Sequence, residues 1–268
     1  MTALLASAEY AKVDGHRVYY EVTGARKPAV VLIHGWTCDS TFWNMQTPEF
    51  AKSFRVLALD LPGHGRSDKP HVAYDLKFFS RGVIAAMEAA KIDQAVLVSH
   101  SMGTSVARQV IADAPDTVAA LLTVDGSVIR NPPESMLAKL KEWSSTMKGS
   151  GGPAVRRQFI EGMFSSATTP EIRKLILDGM LATPEHVAAS AMEQSVASGI
   201  WNGNKRVEIP VLAVNQKRNS QRTRPAHEEV FANLEYVQMD NVGHFLHMER
   251  PAEFNKLAID FIRKAGAR

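Results

Sequence analysis

The chain has 268 residues, 45% of them apolar and 22% charged, with a formal net charge of +3. That length and balance fit a globular protein that buries its own core, and they exclude whole-chain disorder, collagen and coiled coil. The charge is too small to argue for nucleic acid, and a single cysteine, Cys38, excludes an internal disulfide or a cysteine zinc cluster.

The N-terminus, Met1-Thr2-Ala3-Leu4-Leu5-Ala6-Ser7-Ala8-Glu9, has no basic region and too short an apolar stretch for a secretory signal. The longest apolar runs, such as Ala29–Ile33, are strand-length. These features set the expectation of a soluble, cytoplasmic protein with no nucleic-acid or membrane partner. Tyr10–Val13 and Arg17–Val22 flank Asp14-Gly15, a hairpin signal. Ala29–His34 is a continuous apolar run rich in β-branched residues, as expected of a strand covered on both faces, and it ends in His34-Gly35-Trp36. Arg55–Asp60 is similar and leads into Asp60-Leu61-Pro62-Gly63-His64-Gly65. Lys77–Ala90 is predicted to be a helix, Ala95–Val98 a strand, Met102–Ala112 a helix and Val118–Val124 a strand. Strands alternating with helices point to a parallel sheet with crossover helices.

From Ser127 to Val207 no buried-strand run occurs. Helical patterns cover Glu134–Met147, Ala154–Phe164, Pro170–Leu181 and Pro184–Ile200. Pro133, Pro170 and Pro184 read as first-turn prolines, with Thr169 and Thr183 as N-caps. Gly149-Ser150-Gly151-Gly152-Pro153 reads as a flexible joint. Strands resume at Val211–Val214 and Glu235–Met239, followed by a helix from Pro251 to Lys264. The expected organisation is an α/β core, residues 1–127 and 207–268, interrupted by an all-helical insertion at 128–206.

Ala95-Val96-Leu97-Val98-Ser99-His100-Ser101-Met102-Gly103 reads as strand, sharp turn and helix, with small residues two before and two after Ser101. That is the pattern of a nucleophile elbow, in which the serine oxygen projects over a helix N-terminus. The plainer alternative is an N-cap serine at an ordinary strand-to-helix turn. An acyl-transfer site also needs two backbone donors for the oxyanion. The amides of Met102, next to the serine, and Trp36, in the loop after the third strand, are the candidates. Among nine histidines, His244 stands in the loop after the last strand, where a base for Ser101 must sit; His247 is expected to face away. His34, His64 and His100 are read as turn or supporting residues. An acid is commonest after the strand Val211–Val214, but no carboxylate lies between Glu208 and Glu228. The acid is therefore assigned to Asp125, after Val118–Val124; the plainer alternative is a capping aspartate in an Asp-Gly turn. Lys217, Arg218, Arg222 and Arg224 read as a solvated cationic loop, and Cys38 as a packed thiol.

Together these residues resemble the α/β-hydrolase superfamily over essentially the whole chain. The matching pieces are Leu32-Ile33-His34-Gly35-Trp36, Asp60-Leu61-Pro62-Gly63-His64-Gly65-Arg66-Ser67-Asp68, Ser99-His100-Ser101-Met102-Gly103 and Gly243-His244-Phe245. The departures are Ser99 in place of a glycine and Asn219 near the usual acid position. The resemblance implies a mostly parallel twisted sheet flanked by helices, with the insertion as a cap over the site. It also implies that no cofactor or metal is needed and that the substrate is a small-molecule ester. A homodimer is left open. An aspartate nucleophile would have meant a dehalogenase or epoxide hydrolase; Ser101 argues against both. The leading expectation is a carboxylesterase with a Ser101-His244-Asp125 triad, lactone, amide or activated C–C bonds being related targets. Candidate pocket residues are Trp36, His100, Trp143, Met147, Phe159, Met163, Phe164 and Phe245, with Met180, Met192 and Trp201 also in the insertion. A second expectation follows from resemblance to the cofactor-independent ring-cleaving dioxygenases of quinolones, which share the Gly-Trp turn, the Ser-His-Ser elbow and the acid after the earlier strand. There His244 and Asp125 would act as a dyad and Ser101 would only assist. A non-catalytic binder of hydrophobic ligands is the third.

Overall fold

The computed structural model describes residues 7–126, 128–149, 151–202 and 205–266, without the side chains of residues 7 and 219–222. The readings made at Met1–Ala6, Ser127, Ser150 and the side chains of Asn219 and Arg222 therefore lie outside the described residues. The strands are β1 (Ser7–Val13), β2 (His16–Thr23), β3 (Ala29–Ile33), β4 (Arg55–Leu59), β5 (Ala95–His100), β6 (Val118–Val124), β7 (Val207–Gln216) and β8 (Phe231–Met239). The α-helices are α1 (Thr47–Ala51), α2 (Leu76–Ala89), α3 (Gly103–Asp113), α4 (Glu134–Met147), α5 (Gly152–Glu161), α6 (Pro170–Ala182), α7 (Glu185–Ala197), α8 (Lys217–Val230), α9 (Leu246–Glu249) and α10 (Pro251–Gly266).

One sheet runs β1-β2-β4-β3-β5-β6-β7-β8. The β1–β2 and β2–β4 pairs are antiparallel, and the rest of the sheet is parallel. Asp14 at φ 50° and Gly15 at φ 83° form the hairpin turn, which needs left-handed backbone at both central positions. The inner strands lack alternation because both faces are covered. Val30, Leu32, Val96 and Val98 pack with Phe254, Ala258 and Ile262 of α10. Val31, Ile33 and Leu97 face the other way, toward Phe79 and Val83 of α2 and Val106 and Val110 of α3. Burial on both faces turns a period-2 pattern into a continuous apolar run. Met147 of α4, Ile160 of α5, Met180 of α6 and Val187 of α7 are also buried, in the same cluster as the α2–α3 face.

The order β4-β3-β5 positions the site. From β3 the chain steps to one side to make β4, then crosses to the other side to make β5. The connections leaving the carboxyl ends of β3 and β5 therefore diverge, and such a switch point opens a crevice at that edge of the sheet.

Several local readings change. Residues 217–230 form a helix where Asn215–Arg224 reads as a loop. Thr223 and His227 take two of its inward positions beside Ala226 and Val230, so its apolar period is too weak to mark it. Lys217, Arg218 and Arg224 are exposed, as expected, and two of them also make surface ion pairs: Lys217 with Asp240 at 3.2 Å and Arg224 with Glu228 at 2.7 Å. Thr169 does cap α6, accepting from the Ile172 amide, and Pro170 is that helix's first residue. Thr183 does not cap α7; its hydroxyl donates to the Thr37 carbonyl at 3.0 Å, and Pro184 holds the N-cap position. Pro133 likewise sits at the N-cap of α4 rather than inside its first turn. Gly152 and Pro153 belong to the first turn of α5 rather than to a joint, and a Cβ at Gly152 would lie 2.2 Å from the Met147 carbonyl.

Phe254 anchors α10 against the sheet with no exposed surface. Phe254→Ala is expected to remove about 3–5 kcal/mol of stability through the cavity it leaves, read as a lower urea midpoint.

Candidate active site

Ser101 follows β5 with φ 53°, a left-handed conformation that costs a non-glycine residue on the order of 1 kcal/mol or more. The turn is held by its amide, which donates to Val124 O at 3.0 Å, and by its carbonyl, which accepts from the Thr104 amide at 3.0 Å. The backbones on either side are in close approach. A Cβ at Gly103 would lie 2.6 Å from the His34 carbonyl, and one at Gly35 2.9 Å from His100 Nδ1. Ser99 fits the place of the expected glycine because it is satisfied there. Fully buried, its hydroxyl donates to the Leu122 carbonyl at 3.2 Å and touches Thr104 Oγ1 at 3.3 Å.

The loop after β3 is fixed from beneath. His34 Nδ1–H donates to Gly35 O at 2.8 Å, and its Nε2 accepts from the Leu61 amide at 2.9 Å. The buried Asp60 carboxylate accepts from the Ser40 and Arg66 amides at 2.8 and 2.7 Å. The motif beginning at Asp60 thus buttresses this loop. Trp36 is tied to α7 by its indole N–H, which donates to the Ala188 carbonyl at 2.8 Å. Among the described residues, the backbone amides of Trp36 and Met102 donate to no protein acceptor.

His244 lies between β8 and α9, its amide donating to the Met163 carbonyl at 3.1 Å. Its Nδ1–H donates to Asp125 Oδ2 at 2.6 Å. Asp125, at the end of β6, keeps only 3% of its side chain exposed. Its carboxylate is held from β7 as well: the Gln216 side chain donates to Oδ2 at 2.6 Å and the Gln216 amide to Oδ1 at 3.2 Å. Sequence reasoning missed Gln216, although its place at the end of β7, where an acid is commonest, was the available signal. A carboxylate on Nδ1–H fixes the imidazole tautomer that leaves Nε2 free to take a proton. Ser101 and His244 line the same cavity, and no hydrogen bond joins the Ser101 hydroxyl to His244 among the described residues.

The rings of His100 and His247 lie beneath His244. The His100 ring lies 4.6 Å from that of His244, and its Nε2–H donates to the His244 carbonyl at 3.0 Å. Burial holds His100 well below the ordinary imidazole range. His247 sits in α9 and turns into the core, 4.8 Å from the His100 ring and 4.7 Å from the Trp43 ring. It does face away from the cavity. Burial pushes it down to about 3, and does the same to His64.

The cavity has a volume of about 640 Å³. Its wall includes Trp36, His100, Met102, Phe159, Met163, Phe164 and Phe245, with Met180, Met192 and Trp201 from the helical segment and just after it. Trp143 and Met147 do not line it. Trp143 packs edge-on to Phe159 at 4.2 Å and opens onto a separate outer cavity, while Met147 is fully buried in the core. Helical periodicity marks both as inward, but which neighbour an inward side chain meets is set by how the helices pack. Cys38 is buried and reaches the cavity wall, and burial raises its thiol well above the usual range. No helix among the described residues is long and apolar enough to cross a membrane. Among those residues no group of three histidine, cysteine or carboxylate side chains could hold a metal ion.

Residues 30–257 match the model of the alpha/beta hydrolase family, and the chain belongs to that family. It is 25% identical over 274 residues to the soluble epoxide hydrolase of Corynebacterium sp. (strain C12), covering 94% of this chain and 95% of that protein. A thermophilic esterase from Thermogutta terrifontis superposes with a TM-score of 0.87 at 20% identity, over 97% of this chain and 100% of that one. The enol-lactonase from Burkholderia xenovorans LB400 gives 0.80 at 22%, over 95% and 100%. These names span several hydrolytic reactions on one fold, and it is the site that selects among reactions.

The neutral buried histidines couple stability to pH. Unfolded, each titrates near 6.5, whereas folded His64 and His247 titrate near 3. Between those values the unfolded chain binds protons that the native chain does not, so stability falls as pH falls from about 6.5 toward 3. His247→Phe is expected to make the loss between pH 7 and pH 5 smaller by about 2 kcal/mol, measured by urea unfolding at the two pH values.

Proposed function

We propose that the protein is a serine hydrolase acting on carboxylic esters. Ser101 Oγ attacks the ester carbonyl while His244 Nε2 takes its proton. Asp125 holds the imidazole and stabilises its cation, and the amides of Trp36 and Met102 bind the tetrahedral oxyanion. His244 then returns the proton to the departing alcohol. Water, deprotonated by the same imidazole, releases the acid from Ser101. The helical segment of residues 128–206 covers the site as a cap.

The observation that carries this reading is the 2.6 Å contact between His244 and Asp125, in a cavity that Ser101 enters from a left-handed turn at the head of α3. The unused amides of Trp36 and Met102 add to it. The apolar wall of Phe159, Met163, Phe164 and Met180 suits an acyl or alcohol chain. Serine at position 101, where an epoxide hydrolase of this fold would need a carboxylate nucleophile, separates the chain from that activity.

One observation favours a second reading. The imidazole is bonded to Asp125 and not to Ser101, as a dyad that deprotonates a substrate for reaction with oxygen would be. Apo hydrolase sites are often equally loose and tighten when substrate binds, so the hydrolase reading is preferred.

Turnover of p-nitrophenyl acetate and butyrate by wild type and Ser101→Ala is the test. Hydrolysis by wild type and its loss in the mutant, by about a thousandfold or more, is the expected outcome. Equal turnover by both proteins would overturn the reading, and oxygen consumption with hydroxyquinolones that survives Ser101→Ala would establish the second. Gln216→Leu removes the side-chain donor from Asp125. It is expected to lower kcat about tenfold or more, the value of one hydrogen bond to a charged group, with an unchanged circular dichroism spectrum.

A further inference from the structure

Arg218 is the one Lys, Arg, Asp or Glu side chain among the described residues that line the cavity. Apart from Ser101, His244, His100, Gln216 and Cys38, the rest of the wall is aromatic, aliphatic and methionine side chains, with hydroxyls from Ser105, Ser165, Ser195 and Ser198. Arg218 is the second residue of α8, two beyond the Gln216 that grips Asp125. The flanking described cations of this helix are committed, Lys217 to Asp240 and Arg224 to Glu228. Arg218 is not: all 28 aspartates and glutamates of the chain lie among the described residues, and none comes within ion-pair distance of its guanidinium. A guanidinium is charged at every working pH and offers a planar fork of donors that matches a carboxylate. Placed on the cavity wall with no ion-pair partner and no opposing carboxylate, it is free to bind a carboxylate on a ligand.

We infer that the physiological substrate is an ester or lactone that carries a carboxylate remote from the scissile carbonyl, and that Arg218 binds it. The inference rests on the hydrolase reading and adds its substrate class. The apolar wall takes the chain between the two groups. Because the guanidinium is exposed at the cavity edge, salt screens the contact and its worth is that of one partly solvated pair.

The experiment compares mono-p-nitrophenyl esters of glutaric, adipic and suberic acid with neutral straight-chain p-nitrophenyl esters of matching length, using wild type, Arg218→Gln and Arg218→Glu. The expected result is a wild-type kcat/KM that favours at least one of the acidic esters. Arg218→Gln should remove that preference by a factor of about three to ten, a size set by a partly exposed ion pair, and Arg218→Glu should reverse it. The neutral esters should be turned over at nearly the wild-type rate throughout, and added salt should weaken only the acidic ones. Calorimetric titration with adipate at low salt gives a readout that needs no turnover: binding to wild type that is lost in Arg218→Gln. If no ester is hydrolysed yet adipate binds through Arg218, the hydrolase reading fails and the carboxylate site stands. If Arg218→Gln slows acidic and neutral esters alike, or wild type prefers neutral esters and binds no adipate at millimolar concentration, the inference is overturned.

Discussion

The close approach of two backbones at the carboxyl edge of the sheet is the constraint around which this molecule is arranged. The turn at Ser101 brings the head of α3 against the end of β3, so tightly that a methyl group at position 103 would sit 2.6 Å from the His34 carbonyl. Ser101 must then adopt a left-handed φ, and Gly35 must leave room for the His100 ring. The switch in strand order sends the connections after β3 and β5 to opposite sides of the sheet, which opens a crevice at this edge. The rest of the edge is built to hold those two loops still. His34 is locked at both ring nitrogens, Asp60 binds two loop amides, and Ser99 bonds the neighbouring strand.

The Asp125 carboxylate shows how several elements share one task. It is carried by β6, gripped by Gln216 at the end of β7, and bonded to His244 from the loop after β8. Three successive strand ends thus converge on one buried side chain. The division of labour explains why β7 can end in an amide: a donor there secures a carboxylate that arrives from the next strand. Beneath it, His100 bonds the His244 carbonyl while His247 and Trp43 extend the stack into the core. His244 is therefore supported on its backbone as well as on its ring.

Much of this was legible in the sequence because it depends on short-range pattern. Uninterrupted apolar runs at Ala29–Ile33 and Val118–Leu122 report burial on both faces, and the small residues around Ser101 report a tight turn. Ser101, His244 and Asp125 could be named from their places after strands, and the fold gathers all of them at one edge. What escaped depends on packing between distant elements. Helix α8 mixes Thr223 and His227 with Ala226 and Val230 on its inward face, so its hydrophobic period is too weak to announce it. Trp143 and Met147 look like their neighbours in sequence, but the packing of α4 against α5 and α7 leaves one at an outer cavity and the other in the core. Thr183 has the right residue type for a cap, and the Thr37 carbonyl takes its hydroxyl instead.

The buried side chains of α4 to α7 belong to the same apolar cluster as the face of the sheet carrying α2 and α3. These helices have no separate interior to fall back on. Any sequence change that reshapes the cavity wall from their side also edits the interior that holds the sheet together. New substrate preferences on this scaffold are thus coupled to foldability, and drift in the helical segment is bounded by the volume it must refill, residue for residue, against the strands below.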